Sequence, residues 1–181
     1  MFLALTSLAL AILYFSPQNS ITTIFSAGLD PSLQLAIGLG LGLAFATSSY
    51  FGFVSQSKKQ HTKRTIASYS RLDLSGLNPV WFGLTAGFGE ELLFRGALQP
   101  LLGIWITSVV FVVAHVHAYQ FKNVDKTALV QMATLFGTSA ALGLIAQYVG
   151  LVAAILVHTL IDISSLYLLR GIKQRALLDA G

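Results

Sequence analysis

Long apolar segments separated by short polar connections follow one another along most of the chain. A helix that crosses the hydrocarbon core needs about 20 apolar residues, because the core is about 30 Å thick and each residue adds about 1.5 Å. The predicted spans are residues 2–15, 33–54, 79–98, 103–119, 127–148 and 151–169. This pattern predicts an all-α fold, a polytopic transmembrane helical bundle of about six spans, formed by a single domain over residues 1–181.

The first apolar segment, residues 2–15, is short for a span, at about 21 Å of helix. It lacks a basic start, and Ser-Pro-Gln-Asn follows it in place of an Ala-x-Ala cleavage site. We expect a retained short helix here, with a secretory signal peptide as the alternative.

Three local features mark the predicted helices and their ends. Gly38 and Gly42 form a Gly-x-x-x-Gly spacing that lets another helix approach closely. Pro79 suits the first turn of the third span, and a tight turn at Pro100 is expected to separate the third span from the fourth.

The positions of the basic residues test the predicted division into spans and loops, because cytoplasmic loops of membrane proteins carry the excess of Lys and Arg. Of the 11 Lys and Arg residues, all but Arg95 fall in segments 55–78 and 122–126 and in the tail after 169. These three segments lie on one side when both termini are cytoplasmic. We therefore expect a multi-pass protein of the cell inner membrane, in contact with lipid, and no nucleic-acid partner despite the net charge of +4.

Composition agrees with a membrane protein. Hydrophobic residues make up 55% of the chain and charged residues 10%. The mean hydropathy is +0.73, and soluble domains have about 25% charged residues. Cysteine is absent, which excludes disulfides, iron–sulfur clusters and thiolate metal sites.

Glu90 and Glu91 are the only glutamates in the protein, and they are adjacent within the third span. A charge at the middle of a membrane helix costs about 2.5–3.5 kcal/mol on insertion scales, so such residues are candidates for a functional site. Arg95 is four residues after Glu91, on the same helix face. We expect Glu91 to pair with Arg95 and Glu90 to remain available for chemistry.

Four further ionisable residues lie in other spans, and one of them, His117, is two residues from His115 and is expected to point away from it. His115 is near the inner end of the fourth span, and His158 and Asp162 share one face of the sixth. At about 1.5 Å per residue, Glu90, His158 and Asp162 lie about 10–16 Å from the inner ends of their helices. These side chains are therefore expected to form one cluster in the inner half of the membrane.

The same residues resemble the motifs of a known family. The ordered set is Glu90-Glu91-x-x-x-Arg95, Phe111-x-x-x-His115 and His158-x-x-x-Asp162. It is similar to the three motifs of the CPBP family of intramembrane proteases, the CAAX-protease and bacteriocin-processing group. The resemblance implies an intramembrane endopeptidase acting from the cytoplasmic side on a peptide or membrane-protein substrate.

Peptide hydrolysis requires an activated water, a group that stabilises the oxyanion and a proton for the leaving amine. Glu90 is the expected general base, His115 the residue that holds the water, and His158 with Asp162 the oxyanion stabiliser. Glu91 and Arg95 support Glu90, and Phe111 packs one turn from His115.

A metal-dependent mechanism is the alternative, because Glu90, His115 and His158 form a His₂Glu set of the kind that binds catalytic zinc. The sequence lacks the His-Glu-x-x-His zinc helix, so the ligands would have to come from three helices. The choice between a divalent metal such as zinc and a metal-free mechanism stays open at this point, as does the oligomeric state.

Two other functions fit the same buried polar residues. A proton-coupled transporter uses buried Glu, His and Asp, although no internal repeat is evident here. A non-enzymatic immunity or partner protein of the membrane is the other alternative, since the resembled family has been linked to self-immunity.

Overall fold

The computed structural model describes residues 2–16, 20–55, 72–116 and 125–178, and within these ranges all regular structure is helical. The elements, in chain order, are α1 (Phe2–Tyr14), α2 (Ile21–Ser26), α3 (Pro31–Ser55), α4 (Asn78–Glu91), a π-helical segment (Leu92–Leu98), α5 (Gln99–His115), α6 (Lys126–Tyr148) and α7 (Leu151–Leu178). The predicted all-α membrane bundle is confirmed. The short helix α2, whose N-terminus is capped by the Ser20 hydroxyl, was not predicted.

Four helical stretches of the described chain are long and apolar enough to cross a membrane: Pro31–Gly52, Asn78–His115, Ala128–Tyr148 and Leu151–Gln174. The second contains 38 residues. As a straight helix it would measure about 57 Å, nearly twice the thickness of the hydrocarbon core. It is not straight, because Gly103, with φ 77° and ψ 168°, breaks it into two limbs.

The two limbs run antiparallel. The rings of Phe94 and Phe111 have centroids 4.9 Å apart. In a straight helix, the roughly 17 residues from one to the other would separate them by about 25 Å. The limbs correspond to the predicted third and fourth spans.

The reversal between the limbs occurs at Gly103 and not at Pro100, which lies in the first turn of α5. The prediction of the turn at Pro100 is therefore wrong by three residues. A positive φ is a conformation that glycine adopts without the steric penalty other residues meet.

Helix α7 lies between α3 and α4 and makes close contact with both. A Cβ atom added to Gly38 of α3 would lie 2.9 Å from the Ala153 Cα, and one added to Gly87 of α4 would lie 3.0 Å from the Thr159 backbone nitrogen. The Gly-x-x-x-Gly spacing at Gly38 thus serves close helix packing, as predicted.

Helix α1 covers the π-helical segment, since Ala9 and Leu13 belong to the same buried cluster as Leu92 and Leu93. The predicted short helix is therefore present and ends at Tyr14. Its retention in the mature protein stays a prediction.

One polar side chain ties α3 to the start of α7. Gln34 is fully buried and donates from Nε2 to the carbonyls of Ala27 and Leu29, while its Oε1 accepts from the Val152 backbone N–H. The beginning of α7 is thereby fixed against the connection that precedes α3.

Most of the basic residues behind the topology prediction, at 56–71 and at Lys122, lie outside the described residues. The cytoplasmic location of both termini and the inner membrane as the site stay predictions.

Candidate active site

Glu90 and Glu91 end α4 and lead directly into the π-helical segment, where the backbone forms a wider turn than an α-helix. Both side chains point into the bundle, with Glu90 7% exposed and Glu91 fully buried. Single wide turns of this kind occur often at functional sites. Nothing in the sequence Leu92–Leu98, which is apolar except for Arg95, predicts the π conformation.

Two imidazoles approach Glu90 from two other helices. The Oε2 atom of Glu90 lies 3.4 Å from Nε2 of His115 on α5 and 4.0 Å from Nε2 of His158 on α7. This oxygen is buried and forms no hydrogen bond within the described part of the chain. A buried carboxylate oxygen that faces two ring nitrogens is a site at which a polar ligand such as water can bind.

His115 is held by its own helix. Its Nδ1 lies 2.8 Å from the carbonyl oxygen of Phe111, and its ring stacks on the Phe111 ring at 4.2 Å between centroids. Because a carbonyl only accepts, Nδ1 carries the proton, and Nε2 is the atom presented to Glu90.

His158 is held by Glu91, with its Nδ1 at 2.7 Å from Glu91 Oε1. Asp162, the residue expected to act with His158, lies near the other nitrogen, with Oδ2 at 3.6 Å from His158 Nε2. The residue that fixes the ring is Glu91, 67 positions away.

Glu91 and Arg95 form the expected ion pair, with Arg95 Nε at 3.3 Å from Glu91 Oε2, and both side chains are buried. The guanidinium also donates from Nη2 to the carbonyl and the hydroxyl of Ser139 on α6, at 3.2 Å each. Its carbon lies 5.2 Å from the centre of the Phe111 ring, in cation–π range.

The side chains of the cluster differ in their exposure from one end of it to the other. Glu91 and Arg95 have side chains that are at most 1% exposed, whereas those of His115 and Asp162 are 18% and 32% exposed. The exposed end of the cluster is therefore the one where His115 and Asp162 lie. The predicted topology places this end in the cytoplasmic half of the membrane.

The structure thus brings together all seven residues singled out in the sequence: Glu90, Glu91, Arg95, Phe111, His115, His158 and Asp162. It adds Ser139, which could not be found from the sequence because a serine in an apolar span carries no signal of its own. The roles of these residues in catalysis stay predictions.

The same distances decide whether the donor set suits a metal. In a tetrahedral zinc site with bonds of about 2.0–2.1 Å, donor atoms lie about 3.3 Å apart. The separation between Glu90 Oε2 and His158 Nε2 is 4.0 Å, and no group of three His, Asp or Glu side chains in the described chain is arranged to hold a metal ion. The His₂Glu zinc site does not fit this arrangement.

Comparisons with known proteins point to one family. The family model "Type II CAAX prenyl endopeptidase Rce1-like" matches residues 74–164, a range that contains all seven residues. The chain is 34% identical over 84 residues to the uncharacterized protein YpbD of Bacillus subtilis (strain 168), a match that covers 46% of this chain and 41% of YpbD. The matched region thus spans less than half of that relative's length. No solved structure matches the chain.

Proposed function

Because the chain belongs to the Rce1-like family of type II CAAX prenyl endopeptidases, we propose that it is an intramembrane endopeptidase in which Glu90 is the general base. The observation that carries this proposal is the environment of Glu90 Oε2. This oxygen is buried, forms no hydrogen bond in the described chain, and lies within 4.0 Å of two imidazole nitrogens from separate helices.

In the first step, a water molecule bound between Glu90 and His115 loses a proton to the Glu90 carboxylate. His115 accepts a hydrogen bond from the water at Nε2, since its Nδ1 proton is engaged by the Phe111 carbonyl. The resulting hydroxide attacks the carbonyl carbon of the scissile peptide bond and forms a C–O bond.

The tetrahedral intermediate carries a negative charge on the former carbonyl oxygen. His158 stabilises this oxyanion from Nε2, which requires the imidazolium form because Nδ1 already donates to Glu91. Glu91 and Asp162 supply the counter-charge for that imidazolium. Glu90 then passes its proton to the leaving nitrogen, and the C–N bond breaks.

Glu91 and Arg95 take no direct part in these steps. Glu91 fixes the ring of His158 through a 2.7 Å hydrogen bond, and Arg95 fixes Glu91. Catalytic efficiency depends on such supporting contacts, because misplacement of a reacting group by about 1 Å can reduce the rate about 100-fold.

The substrate proposed is a peptide, or the terminus of a membrane-associated protein, that reaches Glu90 past His115 and Asp162. The family name supports a prenylated CAAX-type substrate. No step is assigned to a metal ion, because Glu90 Oε2 and His158 Nε2, at 4.0 Å, are further apart than two donor atoms of a tetrahedral site.

The test is cleavage of a fluorogenic CAAX-type peptide, farnesylated or not, by the purified protein in proteoliposomes. Glu90→Gln keeps the shape of the side chain and removes the base, and we expect a loss of at least about 1,000-fold in kcat. Asp30→Asn is the matched control, since this exposed carboxylate just before α3 is not a member of the cluster and accepts hydrogen bonds from Ser32. Unchanged cleavage by Glu90→Gln would refute the proposed function.

A further inference from the structure

Ser139 is buried on α6, a helix that carries none of the seven residues of the cluster. It is 1% exposed, and both its hydroxyl and its carbonyl accept hydrogen bonds from Nη2 of Arg95 at 3.2 Å. Serine side chains commonly hydrogen-bond across the helices of a membrane bundle, and here the hydroxyl and the carbonyl of one serine accept from the same buried guanidinium.

The guanidinium in turn determines where Glu91 lies. Arg95 contacts Glu91 Oε2 through Nε, and Glu91 Oε1 holds Nδ1 of His158. A continuous series of contacts therefore runs from Ser139 through Arg95 and Glu91 to His158. Arginine has a long flexible side chain, so the geometry of this series depends on groups that fix the guanidinium.

We propose that Ser139 is a positioning residue for the hydrolysis, acting on His158 through Arg95 and Glu91. This proposal rests on the proposed function. It also assigns α6 a part in catalysis. Ser139 on α6 is the first residue of the series of contacts, and the last is His158, whose imidazole faces Glu90.

A second polar contact to α6 separates positioning from simple helix packing. Gln99 donates from Nε2 to the carbonyl of Gly143 at 2.9 Å, one helical turn beyond Ser139. It joins the start of α5 to α6 as Arg95 joins the π-helical segment to α6, but this hydrogen bond lies outside the series that leads to His158. Substitution of Gln99 therefore removes a contact to α6 that is not a member of the series.

The experiment compares Ser139→Ala with Gln99→Met and Ser139→Thr in the peptide cleavage assay. We expect Ser139→Ala to lower kcat about 10-fold with KM unchanged, the low end of supporting-residue effects because the carbonyl of residue 139 still accepts from Arg95. Ser139→Thr keeps the hydroxyl and should retain kcat within about threefold. Gln99→Met should lower the thermal midpoint as much as Ser139→Ala does and leave kcat within about twofold.

A double-mutant cycle with Arg95→Lys tests the route of the effect. Lysine cannot contact Glu91 and Ser139 together in the way that a guanidinium does. In the Arg95→Lys background, Ser139→Ala should therefore change kcat by less than about twofold. The full loss of kcat in that background, or an equal loss in Gln99→Met, would overturn the proposal.

The two proposals fail in different ways. If Glu90→Gln cleaves like the parent, the proposed hydrolytic function is wrong. If Glu90→Gln is inactive and Ser139→Ala keeps the parental kcat, the positioning role of Ser139 alone is wrong.

Discussion

The imidazole of His158 lies between two consecutive carboxylates, and its Nδ1 atom is only 2.7 Å from Oε1 of Glu91. Glu90, the preceding residue, lies near the opposite nitrogen of the same ring, at 4.0 Å from Nε2. Two neighbouring residues of α4 therefore lie near the two different nitrogens of one imidazole ring on α7. This relationship gives each glutamate a distinct part, with Glu91 setting the orientation of the ring and Glu90 facing its reactive atom.

The first prediction concerns Glu91. Glu91→Gln should lower kcat about 10- to 100-fold, because the counter-charge that orients His158 is lost. It should also destabilise the protein by about 3–5 kcal/mol, since Arg95 remains buried without its partner. Thermal unfolding in detergent and peptide cleavage measure the two effects.

The double variant Glu91→Gln/Arg95→Gln separates these effects. Removal of both charges should recover most of the lost stability, while kcat stays low because His158 still lacks its carboxylate. Recovery of cleavage together with stability would contradict the role assigned to Glu91.

The second prediction concerns Phe111, whose ring stacks on His115 and lies beneath the Arg95 guanidinium. Phe111→Leu should lower stability by about 1–3 kcal/mol and reduce kcat, because both side chains lose a support. Phe45→Leu on α3 is the control, since Phe45 is 38% exposed and lies outside the cluster. Equal changes in the thermal midpoint and kcat for the two variants would argue against this interpretation.

The third prediction concerns the contact between α4 and α7. Gly87→Ala should lower the thermal midpoint and impair cleavage, because the new methyl group would overlap with Thr159 and push Glu90 away from His158. Gly40→Ala adds the same methyl group on α3, where no described atom lies within 4 Å, and should have little effect. If both variants have the thermal midpoint of the parent protein, the predicted overlap at Gly87 is wrong.

The fourth prediction concerns the reversal at Gly103, where φ is 77°. Gly103→Ala should destabilise the protein by about 1 kcal/mol or more, because alanine is strained at a positive φ even where space is open. Gly137→Ala in helix α6 also meets open space, and there the substitution should be neutral or slightly stabilising. We expect the thermal midpoint to fall for Gly103→Ala and to stay the same or rise slightly for Gly137→Ala.

The fifth prediction concerns metal removal. Treatment with EDTA or 1,10-phenanthroline should leave cleavage within about twofold, because the 4.0 Å between Glu90 Oε2 and His158 Nε2 exceeds the donor separation around a tetrahedral ion. Loss of activity that added zinc restores, at a stoichiometry of one ion per chain, would require a metal-dependent mechanism instead.

The parts of the fold that follow from local rules could be predicted from the sequence. Apolar length marked the long helices, and helical spacing correctly paired Glu91 with Arg95 and placed His115 one turn from Phe111. Depth along each helix also placed the acid and the two imidazoles in one layer. These inferences depend on intervals of three or four residues, or on length alone.

The missed features depend on rotation about helix axes and on backbone conformation. The rotation of α4 about its axis determines which of its faces meets α7. It therefore determines that His158 Nδ1 bonds to Glu91 and not to Asp162. The spacing of residues within one helix contains no information about this rotation. The contact between Arg95 and Ser139 joins positions 44 apart for the same reason. The π-helical turn has no recognisable sequence pattern, and the reversal was expected at Pro100, three residues before Gly103.

The position of Gln34 bears on how much of this chain is needed for a working site. The family match begins at residue 74, yet the helix that supports the far side of α7 comes from Pro31–Ser55, joined to it by Gln34 and by glycine-mediated contact. Excision of the matched half alone would leave α7 without the helix that packs against it. The face of α7 that contacts α3 would then be exposed. The N-terminal part thus supports the half that carries the motifs. The two halves should therefore be kept together when the protein is expressed or when the site is transferred to another chain.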